Sequence, residues 1–136
     1  MRKLLFTVLP LMLAALLFVC CSSQSSFEQK KADREKIAAM VASADLEVGE
    51  RGIVALPEEY ASLSDSGECA LVSFPKAGDG AIGLYFWDYR GPVDASKGVV
   101  CIIADLPDDV ASKAATGNDF VNVEKLGEAW YQVSTD

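Results

Sequence analysis

Histidine is absent from the 136-residue chain. This absence removes the most common general base, the most common metal ligand and the usual pH switch near neutrality. It excludes Ser-His and Cys-His catalysis, and a zinc site would have to use cysteines and carboxylates alone. We find no catalytic signature in the sequence. We therefore predict a protein that is not an enzyme and that needs no cofactor and no metal.

Basic residues are scarce as well, because 12 Lys and Arg stand against 20 Asp and Glu, which gives a net charge of −8. Arg2 and Lys3 are the only charges before residue 21, so removing that leader changes the net charge from −8 to −10. Such a surface repels phosphate backbones, and no Lys/Arg cluster offsets it. The sequence therefore argues against nucleic acid as a partner.

The long apolar run of the chain is confined to its N-terminus, where Leu4 to Val19 is interrupted by one Thr and one Pro. This run is shorter than the about 20 residues of a membrane-spanning helix and is typical of a signal peptide. An uncleaved N-terminal membrane helix is the alternative interpretation. The run ends at the pair Cys20-Cys21, and Ser22 to Ser26 form a serine-rich spacer.

These residues resemble the signal peptides of bacterial lipoproteins, in which a box of small residues ends at a cysteine that receives diacylglycerol. Both Cys20 and Cys21 fit this pattern in part, since Leu17 precedes Cys20 by three residues and the small Cys20 precedes Cys21 directly. We favour Cys21, because the cleavage pocket should reject Val19 more than Cys20. The resemblance implies a signal peptide at 1–20 and palmitate on the cysteine. It also implies a lipid anchor on the outer side of the cytoplasmic membrane or in the outer membrane.

A helix is predicted at the start of the mature domain, because Ser26 and Gln29 have the spacing of a capping box and place its first residue at Phe27. Residues 28–36 are polar on all sides and are expected to face solvent. Apolar spacing from Ile37 to Leu46 predicts that the second half packs on the domain.

Beyond the helix, the apolar period changes to two, and short apolar stretches alternate with turn residues. A tether at 21–26 and one small domain at 27–136 are therefore predicted. The order of helix and then strands indicates the α+β class, with the N-terminal helix packed on an antiparallel sheet of four to five hairpin-connected strands. Candidate strand segments are 53–56, 68–74, 81–89, 99–104 and a final hairpin of 118–126 and 129–134.

Cys69 and Cys101 both fall in predicted strands and are the only thiols left once Cys20 and Cys21 are accounted for. The oxidising environment of an exported protein favours a disulfide between them. Two reduced cysteines that pack as small apolar side chains are the alternative. Both alternatives remain open, because a bridge requires α-carbons within about 4.4–6.8 Å and the sequence does not give this distance.

Period-two spacing places three rings on one face of the predicted strand 81–89, namely Tyr85, Trp87 and Tyr89. They form either a platform for a carbohydrate or peptide, or a core face buried under the helix segment 37–46.

Acidic residues carry the remaining chemistry. Asp105, Asp108 and Asp109 supply oxygen ligands, but their spacing matches no EF-hand loop. A carboxylate-based hydrolase is a remote alternative, and solvated acids are the expected role.

These observations predict a membrane-tethered envelope lipoprotein with a small non-enzymatic binding or structural domain. Its expected partners are the membrane, through the lipid anchor, and an envelope protein or a glycan. A carbohydrate- or peptide-binding module that uses Tyr85, Trp87 and Tyr89 is the alternative.

Overall fold

The computed structural model describes residues 28–91, 95–116 and 120–135. The predicted signal peptide and tether, with Cys20, Cys21 and the first helical residue Phe27, lie outside the described residues. The chain divides into two units, Met1–Ala32 and Asp33–Asp136, and the sheet belongs to the second. Among the described residues, no helix is long and apolar enough to cross a membrane.

The described chain begins with a helix, continues through strands and 3-10 turns, and has a short second helix before its last hairpin. Helix α1 comprises residues 28–42, and helix α2 comprises Asp108–Ala111. The strands are β1 (Ile53–Ala55), β2 (Glu68–Ser73), β3 (Ile82–Arg90), β4 (Ser96–Ile103), β5 (Asn122–Lys125) and β6 (Trp130–Ser134).

The six strands form one sheet in the order β1-β2-β3-β4-β6-β5, and every neighbouring pair is antiparallel. The predicted α+β class is confirmed. The predicted number of four to five strands is too low, because the three-residue β1 and both strands of the final hairpin pair with the sheet. Since β6 pairs with β4, the last hairpin extends the sheet and leaves β5 at its edge.

Helix α1 ends earlier than the apolar pattern predicts. Ala44 has a left-handed backbone, with φ of 65°. The N–H of Asp45 donates to the carbonyl of Met40 at 2.8 Å, and the N–H of Ala44 donates to the carbonyl of Val41 at 3.2 Å. These two bonds form a Schellman motif, which satisfies carbonyl groups at the end of a helix. The prediction that the helix runs to Leu46 is therefore wrong.

Side chains alternate between the two faces of the sheet. One face, called here the aromatic face, carries a buried cluster of side chains from four strands and the residue after β2: Ala70, Val72, Phe74, Tyr85, Trp87, Val100 and Val133. The other face, called the helix face, carries their strand neighbours, among them the fully buried Leu84 and Phe86. Helix α1 packs on the helix face, because the guanidinium of Arg34 lies over the ring of Phe86 and Trp130 Nε1 donates to Glu35 at 3.4 Å.

The prediction that the helix covers the face of Tyr85 and Trp87 is therefore wrong. The connection between β4 and β5 covers that face instead. The side chains of Ala115 and Phe120 pack against the buried cluster, and the ring of Phe120 lies edge-on to Tyr85 with the ring centroids 5.1 Å apart. The backbone of Ala115 also pairs with Val72 of β2. Both faces of β3 are consequently buried along most of its length.

Arg34 is 2% exposed, although it belongs to the charged stretch that the sequence predicts to face solvent. It precedes Ile37 by three residues and Val41 by seven, and both of these are fully buried. This spacing places all three side chains on one side of the helix. The first half of the helix is therefore not solvated on every side.

The guanidinium of Arg34 connects α1 to two parts of the domain. Its Nε and Nη2 donate to the carbonyl of Leu63 at 3.1 and 2.7 Å, and Nη2 also donates to Asp88 Oδ1 at 3.3 Å. Burial lowers the pKa of Arg34, and the charge of Asp88 opposes this shift. Within the described ranges, every buried side-chain nitrogen and oxygen has a hydrogen-bond partner.

We expect Arg34→Ala to destabilise the domain by about 1–3 kcal/mol, because the buried carbonyl of Leu63 loses its donor. Lys36→Ala is the control, since Lys36 is 64% exposed and its pair with Asp33 contributes at most about 0.5 kcal/mol. Urea unfolding followed by circular dichroism measures both changes. Equal effects of the two substitutions would contradict the anchoring role of Arg34.

Candidate functional site

A β-bulge interrupts β3 between Trp87 and Tyr89. Trp87 lies opposite Gly98 of β4, whereas Tyr89 lies opposite Lys97, so β3 has one residue more than β4 over this stretch. The extra residue reverses the alternation and moves Tyr89 to the helix face, beside Lys97. The prediction that Tyr89 shares a face with Tyr85 and Trp87 is therefore wrong.

The sequence around the bulge fits this geometry. A Cβ atom on Gly98 would overlap the carbonyl oxygen of Phe86 and would lie 2.8 Å from Cε1 of Tyr85. Glycine at position 98 therefore leaves room for both the backbone of Phe86, next to the bulge, and the buried ring of Tyr85. The N–H of Trp87 donates to the hydroxyl of the buried Ser64 at 2.8 Å, so a side chain satisfies this backbone group.

Tyr85 and Trp87 are part of the core, because only 4% and 8% of their surfaces are exposed. Their ring centroids lie 5.1 Å apart, and the guanidinium of Arg90 lies 4.4 Å above the ring of Trp87. The hydroxyl of Tyr85 is hydrogen-bonded to the hydroxyl of Ser96 at 2.8 Å, and burial raises the pKa of Tyr85. Of the three predicted binding rings, Tyr89 is the exposed one, at 55%.

Cys69 and Cys101 lie on β2 and β4, on either side of β3. Cys69 is opposite Phe86 and Cys101 is opposite Leu84. Two strand spacings, roughly 9–10 Å, separate the strands, and a bridge needs α-carbons closer than about 7 Å. Both cysteines are buried, reduced thiols. Of the two alternatives for this pair, the structure has the reduced one.

Burial raises the pKa of the Cys69 thiol to about 12. At neutral pH this thiol is therefore protonated, and a protonated thiol is a poor nucleophile and a poor metal ligand. Asp105, Asp108 and Asp109 are exposed at the surface around the start of α2. In the part of the chain that the structure describes, no group of three or more Cys, Asp or Glu side chains is placed to hold a metal ion.

An open groove of about 370 Å³ lies over β4, β6 and β5, and we call it the polar groove. Val100, Val133 and Val123 belong to the aromatic face, and side chains alternate between the two faces along each strand. The polar side chains of the groove therefore belong to the helix face. Its lining comprises Lys97, Asn122, Val123, Glu124, Gln132, Val133 and Ser134.

The register of the strands aligns these side chains in two rows. Lys97 lies opposite Ser134, which lies opposite Asn122, and Gln132 lies opposite Glu124. Asn122 Nδ2 donates to the hydroxyl of Ser134 at 3.2 Å, so the two side chains orient one another. The groove thus combines an ammonium, a carboxylate, two amides and a hydroxyl on one surface.

The bulge extends the first row by one aromatic side chain. Tyr89 lies opposite Lys97, and Lys97 is the β4 member of the groove. Directly opposed residues of antiparallel strands have Cβ atoms about 5 Å apart. Tyr89 therefore lies next to Lys97 on the β3 side of the polar groove, without being part of its lining.

Sequence reasoning did not find the polar groove. Its lining comes from three strands, and β4 is separated from the final hairpin by the whole α2 region. The alternation of Val133 with Gln132 and Ser134 indicates one polar face of a strand. Nothing in the local sequence indicates which other strands lie beside that face.

Comparisons with protein-family models, curated proteins and solved structures found no match for this chain. Neither a family nor a shared fold therefore indicates the role of this chain. Any function proposed for it rests on its own residues.

We expect Cys69 and Cys101 to resist iodoacetamide in the native protein at pH 8 and to react fully in guanidinium without a reductant. Burial and the raised pKa of Cys69 are the reasons. Peptide mass spectrometry identifies each labelled cysteine separately. A peptide pair linked through these two cysteines would contradict the structure.

Proposed function

We propose that the protein is a lipid-anchored lipoprotein of the bacterial cell envelope. The pair Cys20-Cys21 supports the proposal, because it ends an apolar leader and is followed directly by a serine-rich spacer. Cleavage and acylation at Cys21, or alternatively at Cys20, would anchor the chain on the outer side of the cytoplasmic membrane or in the outer membrane. Residues 22–26 would then separate the domain from the lipid surface.

The domain would bind an envelope protein or a glycan, or have a structural role, without catalysing a reaction. The lack of histidine and the protonated Cys69 support this proposal. A carboxylate-based hydrolase of glycosides would need two carboxyl groups about 5–9.5 Å apart, one on each side of the bond that is cleaved. Of the described residues that line the polar groove, Glu124 is the acidic one. This function therefore has less support.

A carbohydrate- or peptide-binding module is the alternative with a specific observation in its favour. The proposed platform of Tyr85, Trp87 and Tyr89 retains one exposed ring, that of Tyr89. Tyr89 lies opposite Lys97, which is one of the polar residues that line the groove. A binding role is therefore better supported at the helix face than at the aromatic face.

Labelling with radioactive palmitate tests the anchor. We expect bacteria that express the full chain to incorporate the label, Cys20→Ala to keep it and Cys21→Ala to lose it, because the acyl group would be attached to Cys21. Gel autoradiography of the purified protein measures incorporation.

Cys69→Ala is the matched control, since this cysteine is buried in the domain. It should retain the label. The proposal fails if the wild-type chain takes up no label, or if the double variant that lacks Cys20 and Cys21 still does. Loss of label in Cys20→Ala alone would move the anchor to Cys20.

A further inference from the structure

We propose that the polar groove binds a neutral saccharide, with the ring of Tyr89 stacked against a sugar at its rim. This inference names the ligand class and the site of the binding role proposed above, and it rests on that role. Palmitate labelling and saccharide binding are separate measurements, so either proposal can fail without the other.

The hydrogen-bonding groups of the groove match those of a sugar. Each hydroxyl of a saccharide donates one hydrogen bond and accepts others. The amide of Gln132 can do both, while Glu124 accepts and Lys97 donates. Asn122 and Ser134, which are hydrogen-bonded to one another, flank these three groups. The planar amide and carboxylate groups among these side chains have two hydrogen-bonding atoms each and can contact two neighbouring hydroxyls of a sugar. A ligand with dense, alternating donors and acceptors is therefore the best match.

The charges of the groove favour an uncharged ligand. Lys97 and Glu124 carry opposite charges, and neither takes part in an ion pair among the described residues. An anionic ligand would be repelled by a chain whose net charge is −8. A ligand of either sign would also meet a like charge within the groove, that of Glu124 for an anion and that of Lys97 for a cation. A neutral saccharide avoids both penalties.

The position of Tyr89 adds the apolar contact that a sugar ring requires. Its side chain is 55% exposed and lies opposite Lys97, at the β3 end of the row that crosses the groove. The ring lies against the backbone at Gly91, where a Cβ atom would come within 2.7 Å of Cε1. The volume of about 370 Å³ is at the small end of the about 300–1,000 Å³ range of ligand sites. A short oligosaccharide fits this space.

An extended peptide would use a different surface. Peptides that add to a sheet pair with the main chain of an edge strand, and β5 is the edge strand beside the groove. Such binding would depend little on the side chain of Tyr89, because β4 and β6 separate β3 from β5. The variant of Tyr89 therefore distinguishes the saccharide from the peptide.

The test is an array of neutral and acidic oligosaccharides, probed with the full-length protein in detergent micelles and with empty micelles as the blank. We expect retention on neutral glycans. Titration calorimetry with the best-retained neutral glycan then compares the wild type with Glu124→Gln and Tyr89→Ala. Glu128→Gln is the matched control, because Glu128 is exposed in the turn between β5 and β6, outside the groove.

We expect Glu124→Gln and Tyr89→Ala each to weaken binding about tenfold or more, with Glu128→Gln unchanged. All three side chains are exposed, so unfolding midpoints should stay near that of the wild type. The proposal is overturned if no neutral glycan is retained or if acidic glycans alone are. It is equally overturned if the groove variants bind as tightly as the wild type.

Discussion

A single extra residue in β3 decides which side chains of this sheet lie together. Because side chains alternate along a strand, an inserted residue reverses the face of every residue that follows it. In β3 the reversal falls between Trp87 and Tyr89. It separates the exposed ring of Tyr89 from the buried rings of Tyr85 and Trp87. Without the bulge, Tyr89 would extend the aromatic face, and the polar groove would have no aromatic neighbour.

The two faces of the sheet are closed by different parts of the chain. On the helix face, α1 packs over Phe86 and is held by the buried guanidinium of Arg34. On the aromatic face, the side chains of Ala115 and Phe120, from the connection between β4 and β5, pack against the cluster. Neither helix α1 nor this connection covers the helix-face side chains of β5, because Asn122 and Glu124 are exposed. The groove therefore lies where the sheet extends beyond its helix.

Much of the architecture follows from apolar periodicity, which predicts the α+β class and places segments at or near all six strands. The bulge was not predictable in this way, because period-two spacing continues without a break through Tyr89. The charge of Arg34 predicts exposure to solvent, whereas its spacing from Ile37 and Val41 indicates the buried side of the helix. The polar groove depends on the register of three strands, and register is a long-range property that local patterns do not carry.

Nuclear Overhauser contacts between backbone protons across β3 and β4 test the central claim, the bulge, most directly. The account predicts contacts of Tyr89 with Lys97 and of Arg90 with Ser96, together with that of Trp87 with Gly98. A regular ladder continuing from the last pair would instead place Tyr89 opposite Ser96. Observation of that contact, without one between Tyr89 and Lys97, would return Tyr89 to the aromatic face and contradict the account.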